Sequence, residues 1–134
     1  MIAYKAGFKY QLHATYFIRL GWLAGHPDYH AEFLAVQGDL LTIDAGYAWD
    51  GPSGPTWDSK NSMRASLVHD ALYQLMRIGV LPEDCRAAAD DVLYNLCVED
   101  GMIKWRAWAW WKGVRLGAGG AAQFGTERKI ITAP

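Results

Sequence analysis

The stretch Leu67-Val68-His69-Asp70-Ala71-Leu72-Tyr73 holds the side chains in this chain best suited to chemistry. Consecutive residues of a helix point about 100° apart, so His69 and Asp70 address different directions and each needs its own partner. His69, Leu72, Tyr73 and Met76 follow one another at spacings of three, four and seven, which sets the imidazole along an apolar stripe. Farther on, Asp90 heads a second stripe with Leu93, Tyr94 and Cys97. A carboxylate inside an apolar stripe is costly unless it is hydrogen-bonded or paired, and His69 is the obvious partner. Two antiparallel helices joined by a turn near residues 79–81 set residue n opposite roughly 160 minus n, which brings Asp91 and its neighbour Asp90 against His69. Such a pair is the equipment of a general base, the carboxylate fixing the tautomer of the imidazole. It is equally the equipment of a buried polar network that fixes helix packing without turnover.

Asp70, turned aside from that pair, follows the loop Gly46 to Asp58, GYAWDGPSGPTWD, by a short stretch of chain. Glycines and prolines predict an ordered loop there, and its two tryptophans suggest one held in a single shape. A carboxylate beside glycine carbonyls is an oxygen-only site suited to a hard cation such as calcium, with Asp50, Gly51, Gly54 and Asp70 as the candidate ligands. His13, His26 and His30 show no two-histidine spacing on a helix, so a zinc triad is not indicated.

The elements that must carry these residues read as α+β. Phe33 to Val36 and Leu40 to Ile43, around Gln37-Gly38-Asp39, predict a hairpin. Phe8 to Tyr10 and Thr15 to Leu20 predict further strands of a small antiparallel sheet, with Gly25 to Asp28 as a loop. A first helix is predicted from Ser59 or Asn61 to Ile78, capped by Gly79. Pro82 with Glu83-Asp84 suits the first turn of a second helix ending near Glu99 or Asp100, before Gly101. A third is predicted over Met102 to Leu116, and residues 117–134 as an extended tail. A small antiparallel sheet followed by three packed helices is thus the expectation, in a single domain of 134 residues.

The order Gly51-Pro52, Gly54-Pro55, Ala65, His69-Asp70-x-x-Tyr73, Ala89-Asp90 resembles the active site of phospholipase A2, above all the short form carried in parvovirus capsid proteins. The resemblance covers about 45 residues around a five-residue core. It implies His69 as the base that activates water, Asp90 as its orienter, Tyr73 as support for that carboxylate, and calcium held by Asp70 with the carbonyls of Gly51 and Gly54. Asp91, followed by Tyr94, fits the expected separation from His69 about as well as Asp90. The disulfides of the secreted enzymes are absent, the calcium loop does not match closely, and the β-rich first fifty residues have no counterpart there.

Over its whole length the chain is similar to uncharacterised small proteins of tailed bacteriophages and prophages. These share a β-rich first half, a central His-Asp-x-x-Tyr helix, an Ala-Asp helix and an Arg/Trp-rich last helix. Asp50, His69-Asp70, Tyr73, Ala89-Asp90 and Arg106 to Arg115 stand where that pattern wants them.

Composition bounds these readings. The chain is 51% hydrophobic and 20% charged, which excludes a disordered acidic tail, collagen and a coiled coil. No apolar run reaches the roughly 18–20 residues of a bilayer span, and no signal-peptide core is present, so host cytoplasm or a virion is the expected location. Cys85 and Cys97, twelve residues apart within one predicted helix, are too distant to form a disulfide. Net charge is −1, which gives no general attraction to nucleic acid. Residues 1–100 hold 7 Lys and Arg against 13 Asp and Glu, a balance of −6, whereas residues 101–134 hold 6 against 1, a balance of +5. That basic end can dock on its own acidic body or on a neighbouring subunit as well as on a polyanion. In the third helix, Trp105, Trp108 and Trp111 or Lys112 follow a helical spacing. Core packing is the leading expectation for these tryptophans, and a membrane or protein interface with Lys112 and Arg115 is the alternative.

Two functional classes follow. One is a calcium-type hydrolase of ester or phospholipid bonds that uses the His-Asp pair. The other is a non-enzymatic phage virion or assembly component, self-associating or docking on other phage proteins, in which His69 and Asp90 are structural.

Overall fold

The computed structural model describes residues 10–49 and 60–117, and these fall into two compact units, residues 10–49 in one and residues 60–117 in the other. The class is α+β: antiparallel strands come first and three helices follow.

In the first unit, strands β1 (Tyr10–Gln11), β2 (Tyr16–Arg19), β3 (Tyr29–His30), β4 (Leu34–Gln37), β5 (Leu40–Ile43) and β6 (Ala48–Trp49) are interrupted by a 3-10 turn at Gly21–Gly25. The predicted hairpin is β4 and β5. Gln37 pairs with Leu40 across a turn whose first residue, Gly38, has φ +61°, a backbone angle that favours glycine. Period-two alternation buries Leu34 and Val36 on β4 and Leu41 and Ile43 on β5, and the register sets Leu34 against Ile43 and Val36 against Leu41. These four residues form one apolar face of the sheet.

Sequence predicts a single sheet, but the six strands form two. The order is β2-β5-β4-β3 in the larger, while β1 and β6 pair only with each other. Tyr10 lies opposite Trp49, with ring centroids 5.6 Å apart, and this aromatic pair joins the two short strands to each other. Strand β6 also corrects the loop expected over Gly46 to Asp58, whose first residues are turn and strand. A side chain at Gly46, at φ +99°, would be strained and would force Phe33 to shift, since its Cβ would stand 2.9 Å from that ring. Phe8 and Lys9 of the predicted first strand, Asp50 to Ser59, and residues 118–134 of the expected tail lie outside the described residues.

In the second unit, α1 (Lys60–Arg77) ends as Gly79 takes φ +83°, with Gly79 N–H bonding back to the Met76 carbonyl at 3.1 Å. Pro82 precedes a 3-10 turn, Glu83–Cys85, that runs into α2 (Arg86–Glu99). Gly101 at φ +100° turns the chain into α3 (Lys104–Gly117). The short connection makes α1 and α2 antiparallel. Near the start of α1, Arg64 reaches the end of α2, donating to Asp100 at 2.8 and 3.0 Å and to Glu99 at 2.7 Å. Leu72, Leu75 and Met76 on α1 and Leu93 and Cys97 on α2 are buried.

The third helix overturns the core expectation for two of its tryptophans. It buries Ala107, Trp110 and Val114, spaced by three and four, while Trp105 is 70% and Trp108 52% exposed. The reason is angular: at about 100° per residue Trp105 and Trp108 lie roughly 140° and 160° round the helix from Trp110, so they cannot face α2 with it, and Trp110 shares the inward face with small Ala107. Among the described residues no helix is long and apolar enough to cross a membrane.

Candidate functional site

Helix α1 carries His69 and Tyr73 one turn apart on its buried face, their rings 4.3 Å apart between centroids and tilted by 37°. Opposite them α2 presents Asp90, which is fully buried. His69 Nε2 lies 2.7 Å from Asp90 Oδ1. Tyr73 donates its hydroxyl to the same oxygen at 2.7 Å, and from the last turn of α3 Arg115 Nη1 donates to Oδ2 at 2.9 Å. The main chain that bears Arg115 is itself tied down, because Arg86 Nη2 bonds the Arg115 carbonyl at 3.0 Å. One carboxylate therefore gathers donors from α1 and α3, which satisfies the requirement that a buried charge be paired.

The protonation of this cluster follows from its partners. Burial alone would raise the Asp90 carboxyl, but hydrogen bonds from His69, Tyr73 and Arg115 together with the nearby His69 outweigh it and hold Asp90 below the ordinary value of 3.8. Burial, joined by its bond to Asp90, pushes the Tyr73 hydroxyl well above the usual tyrosine range, so it stays a donor. An ionised Asp90 only accepts, hence the proton between the two groups sits on Nε2 of His69. In the neutral imidazole the lone pair is then on Nδ1, and no described residue bonds to Nδ1. The arrangement is that of a buried imidazole oriented through one anchored nitrogen.

Of the two carboxylates the sequence offered to His69, the structure uses Asp90. Asp91 points elsewhere, and its Oδ1 accepts the indole N–H of Trp111 at 3.0 Å. The role of Arg115 in this cluster is not legible from spacing, since it depends on how α3 lies across α2; the one signal is a cation in the last turn of a helix that must pack beside a buried Asp. Arg115 is thus engaged inward, while Trp105, Trp108 and Lys112 remain on the exposed side of α3, with Lys112 Nζ 5.5 Å from the Trp108 ring centroid. The thiols offer no alternative chemistry. Burial and the neighbouring Asp100 push Cys97 up to about 12 despite the opposing pull of Arg106, and burial likewise raises Cys85.

Asp70 is half-buried on α1 and takes part in interactions of its own. As a hard oxygen donor it fits a calcium site in kind. Asp50, Gly51 and Gly54, the other expected ligands, lie outside the described residues. Among the described residues no three His, Cys, Asp or Glu side chains form a group able to hold a metal.

Searches of curated proteins and of solved structures return no match. A family profile does match, over residues 29–114, a span that runs from β3 into α3 and contains His69, Asp70, Tyr73, Asp90 and Asp91. Because that span is well over half of the chain, the protein belongs to the family described as protein of unknown function DUF1353.

Proposed function

We propose that the protein is a hydrolase of ester bonds, with phospholipid esters as the first class to test, in which His69 is the general base and Asp90 its orienter. The supporting observation is the fully buried Asp90 anchoring His69 through Nε2 at 2.7 Å, which leaves the Nδ1 lone pair to take a proton from water. The imidazolium so formed is stabilised by the Asp90 charge. Tyr73 and Arg115 keep that carboxylate in place and ionised. The resemblance to phospholipase A2 adds a calcium ion held by Asp70 with Gly51, Gly54 and Asp50, which when bound would supply positive charge to a developing oxyanion. A tailed-phage or prophage origin belongs to the same proposal and rests on sequence resemblance.

The test is ester and phospholipid turnover by the whole chain with calcium or with a chelator, wild type beside His69→Asn and Asp70→Asn. His69→Asn is expected to lower turnover by about 10²- to 10⁴-fold with the helical circular dichroism retained. Asp70→Asn is expected to weaken calcium binding in calorimetry. Turnover that survives His69→Asn would sink the base assignment.

A second reading draws on a different observation. Ile103, Trp105, Trp108 and Leu116 are large apolar side chains left exposed on or beside α3, as a virion or assembly component would present to a partner or to a membrane surface. In that reading the Asp90 cluster only fixes helix packing, and His69→Asn leaves function intact.

A further inference from the structure

Between α2 and α3 lies an open groove of about 370 Å³ lined by Asp91, Tyr94, Asn95, Trp108 and Trp111. We propose that this groove binds a quaternary ammonium group, of the kind carried by choline headgroups.

The argument begins with the side chains. Three of the five lining residues are aromatic, and none of these three rings packs against another ring among the described residues. All three rings are part of the groove lining. An aromatic face is the negative end of a ring quadrupole and attracts a cation within about 6 Å of its centroid. Trp108 already serves in this way, since the ammonium of Lys112, which is not a lining residue, sits 5.5 Å from its ring centroid.

Charge points the same way. Among the described residues the sole ionisable carboxylate of the lining is Asp91, and no Lys or Arg is part of that lining. Trp111 Nε1 engages Oδ1 of Asp91 at 3.0 Å, which fixes the carboxylate at the groove and leaves Oδ2 for a positively charged occupant. A metal ion would need several oxygen ligands, and Asp91 is the one lining residue that offers charged oxygens, beside three aromatic residues. A quaternary ammonium, with its charge spread over methyl groups, sheds water cheaply and needs no hydrogen-bond acceptor. The groove volume falls within the usual range of about 300–1,000 Å³ for small-molecule sites. On the helical wheel of α3, Trp111, Trp108, Lys112 and Trp105 follow one another outward from the groove, about 40–60° apart at the first two steps and less at the last. Trp105 is thus an exposed aromatic on the same flank of α3, outside the lining itself, as suits a headgroup presented at a lipid surface.

The site uses neither His69 nor Asp70, so it stands apart from the hydrolase proposal and can fail separately. Tetramethylammonium and phosphocholine are titrated into the full chain by calorimetry and tryptophan fluorescence, with N-acetylglucosamine as a neutral control for an aromatic groove. Saturable binding of both cations is expected. Trp108→Ala and Asp91→Asn should each weaken it about tenfold or more, with unchanged helical circular dichroism. Trp111→Phe, which keeps a ring but loses the bond to Asp91, should weaken it less than Trp108→Ala, and His69→Asn should leave it unchanged. Vesicles of phosphatidylcholine compared with phosphatidylglycerol then identify the source: preference for the first means a lipid headgroup, and phosphocholine binding without vesicle binding means a free solute. No binding of tetramethylammonium by the wild type, binding of the sugar in its place, or binding indifferent to both Trp108→Ala and Asp91→Asn would overturn the assignment.

Discussion

Asp90 is the residue on which the candidate site turns, because a buried carboxylate is tolerable only while its donors are in place. Replacing it by Ala strands His69, Tyr73 and Arg115 at once and is expected to cost about 3–5 kcal/mol, read as a lower urea midpoint. The same residue sets an acid limit. Its folded value lies below the ordinary 3.8, so its contribution is present above the unfolded value and is lost as pH falls through the folded one. Stability should therefore hold level near neutrality and decline as pH drops below about 4, with Asp90→Asn flattening that decline. Tyr73 sets the alkaline counterpart. Its folded value is raised above 10.0, so the unfolded chain ionises first and stability should fall as pH rises past that value, a fall that Tyr73→Phe removes.

At the scale of elements, the helical unit depends on turns that stop each helix where the next must begin. Gly101 at φ +100° has no neighbour within 4 Å of an added Cβ, so Gly101→Ala meets strain and no clash. An expected loss of about 1 kcal/mol, measured by urea denaturation, follows from the left-handed backbone alone. Spacing made the two-helix stripe of His69 and Asp90 legible, because a 3.6-residue period and a short turn allow few antiparallel registers. Spacing could not choose between Asp90 and Asp91. That choice was made by α3, whose Arg115 reaches Asp90 and whose Trp111 reaches Asp91. The two-residue strands β1 and β6 were only partly legible for a related reason: their pairing joins residues 10–11 to residues 48–49, a long-range contact that no local pattern announces.

For the molecule as a whole, the exposed side of α3 decides what the protein can meet. Trp105, 70% exposed, is expected to contribute little to folding, so Trp105→Gln should leave the melting temperature nearly unchanged. In the interaction reading it should reduce self-association in sedimentation or binding to vesicles, and unchanged association would remove Trp105 from the interacting surface. The charge asymmetry gives a related check, since contacts made through the basic end should weaken as salt is raised.

The sequence by itself determined the class, the hairpin, the three helices with glycine stops after the first two, and the pairing of a histidine on the first helix with a carboxylate on the second. All of these follow from local periodicity, turn chemistry and the cost of leaving a charge buried alone. Tertiary structure decided which aspartate holds His69, that Arg115 completes its shell, that the strands divide into two sheets, and that Trp110 faces inward while Trp105 and Trp108 face out. The rotation of α3 about its own axis decides between its tryptophans. With large aromatics on several sides of that helix, hydrophobicity cannot say which side is covered, and only the fit of Ala107, Trp110 and Val114 to the inward face resolves it.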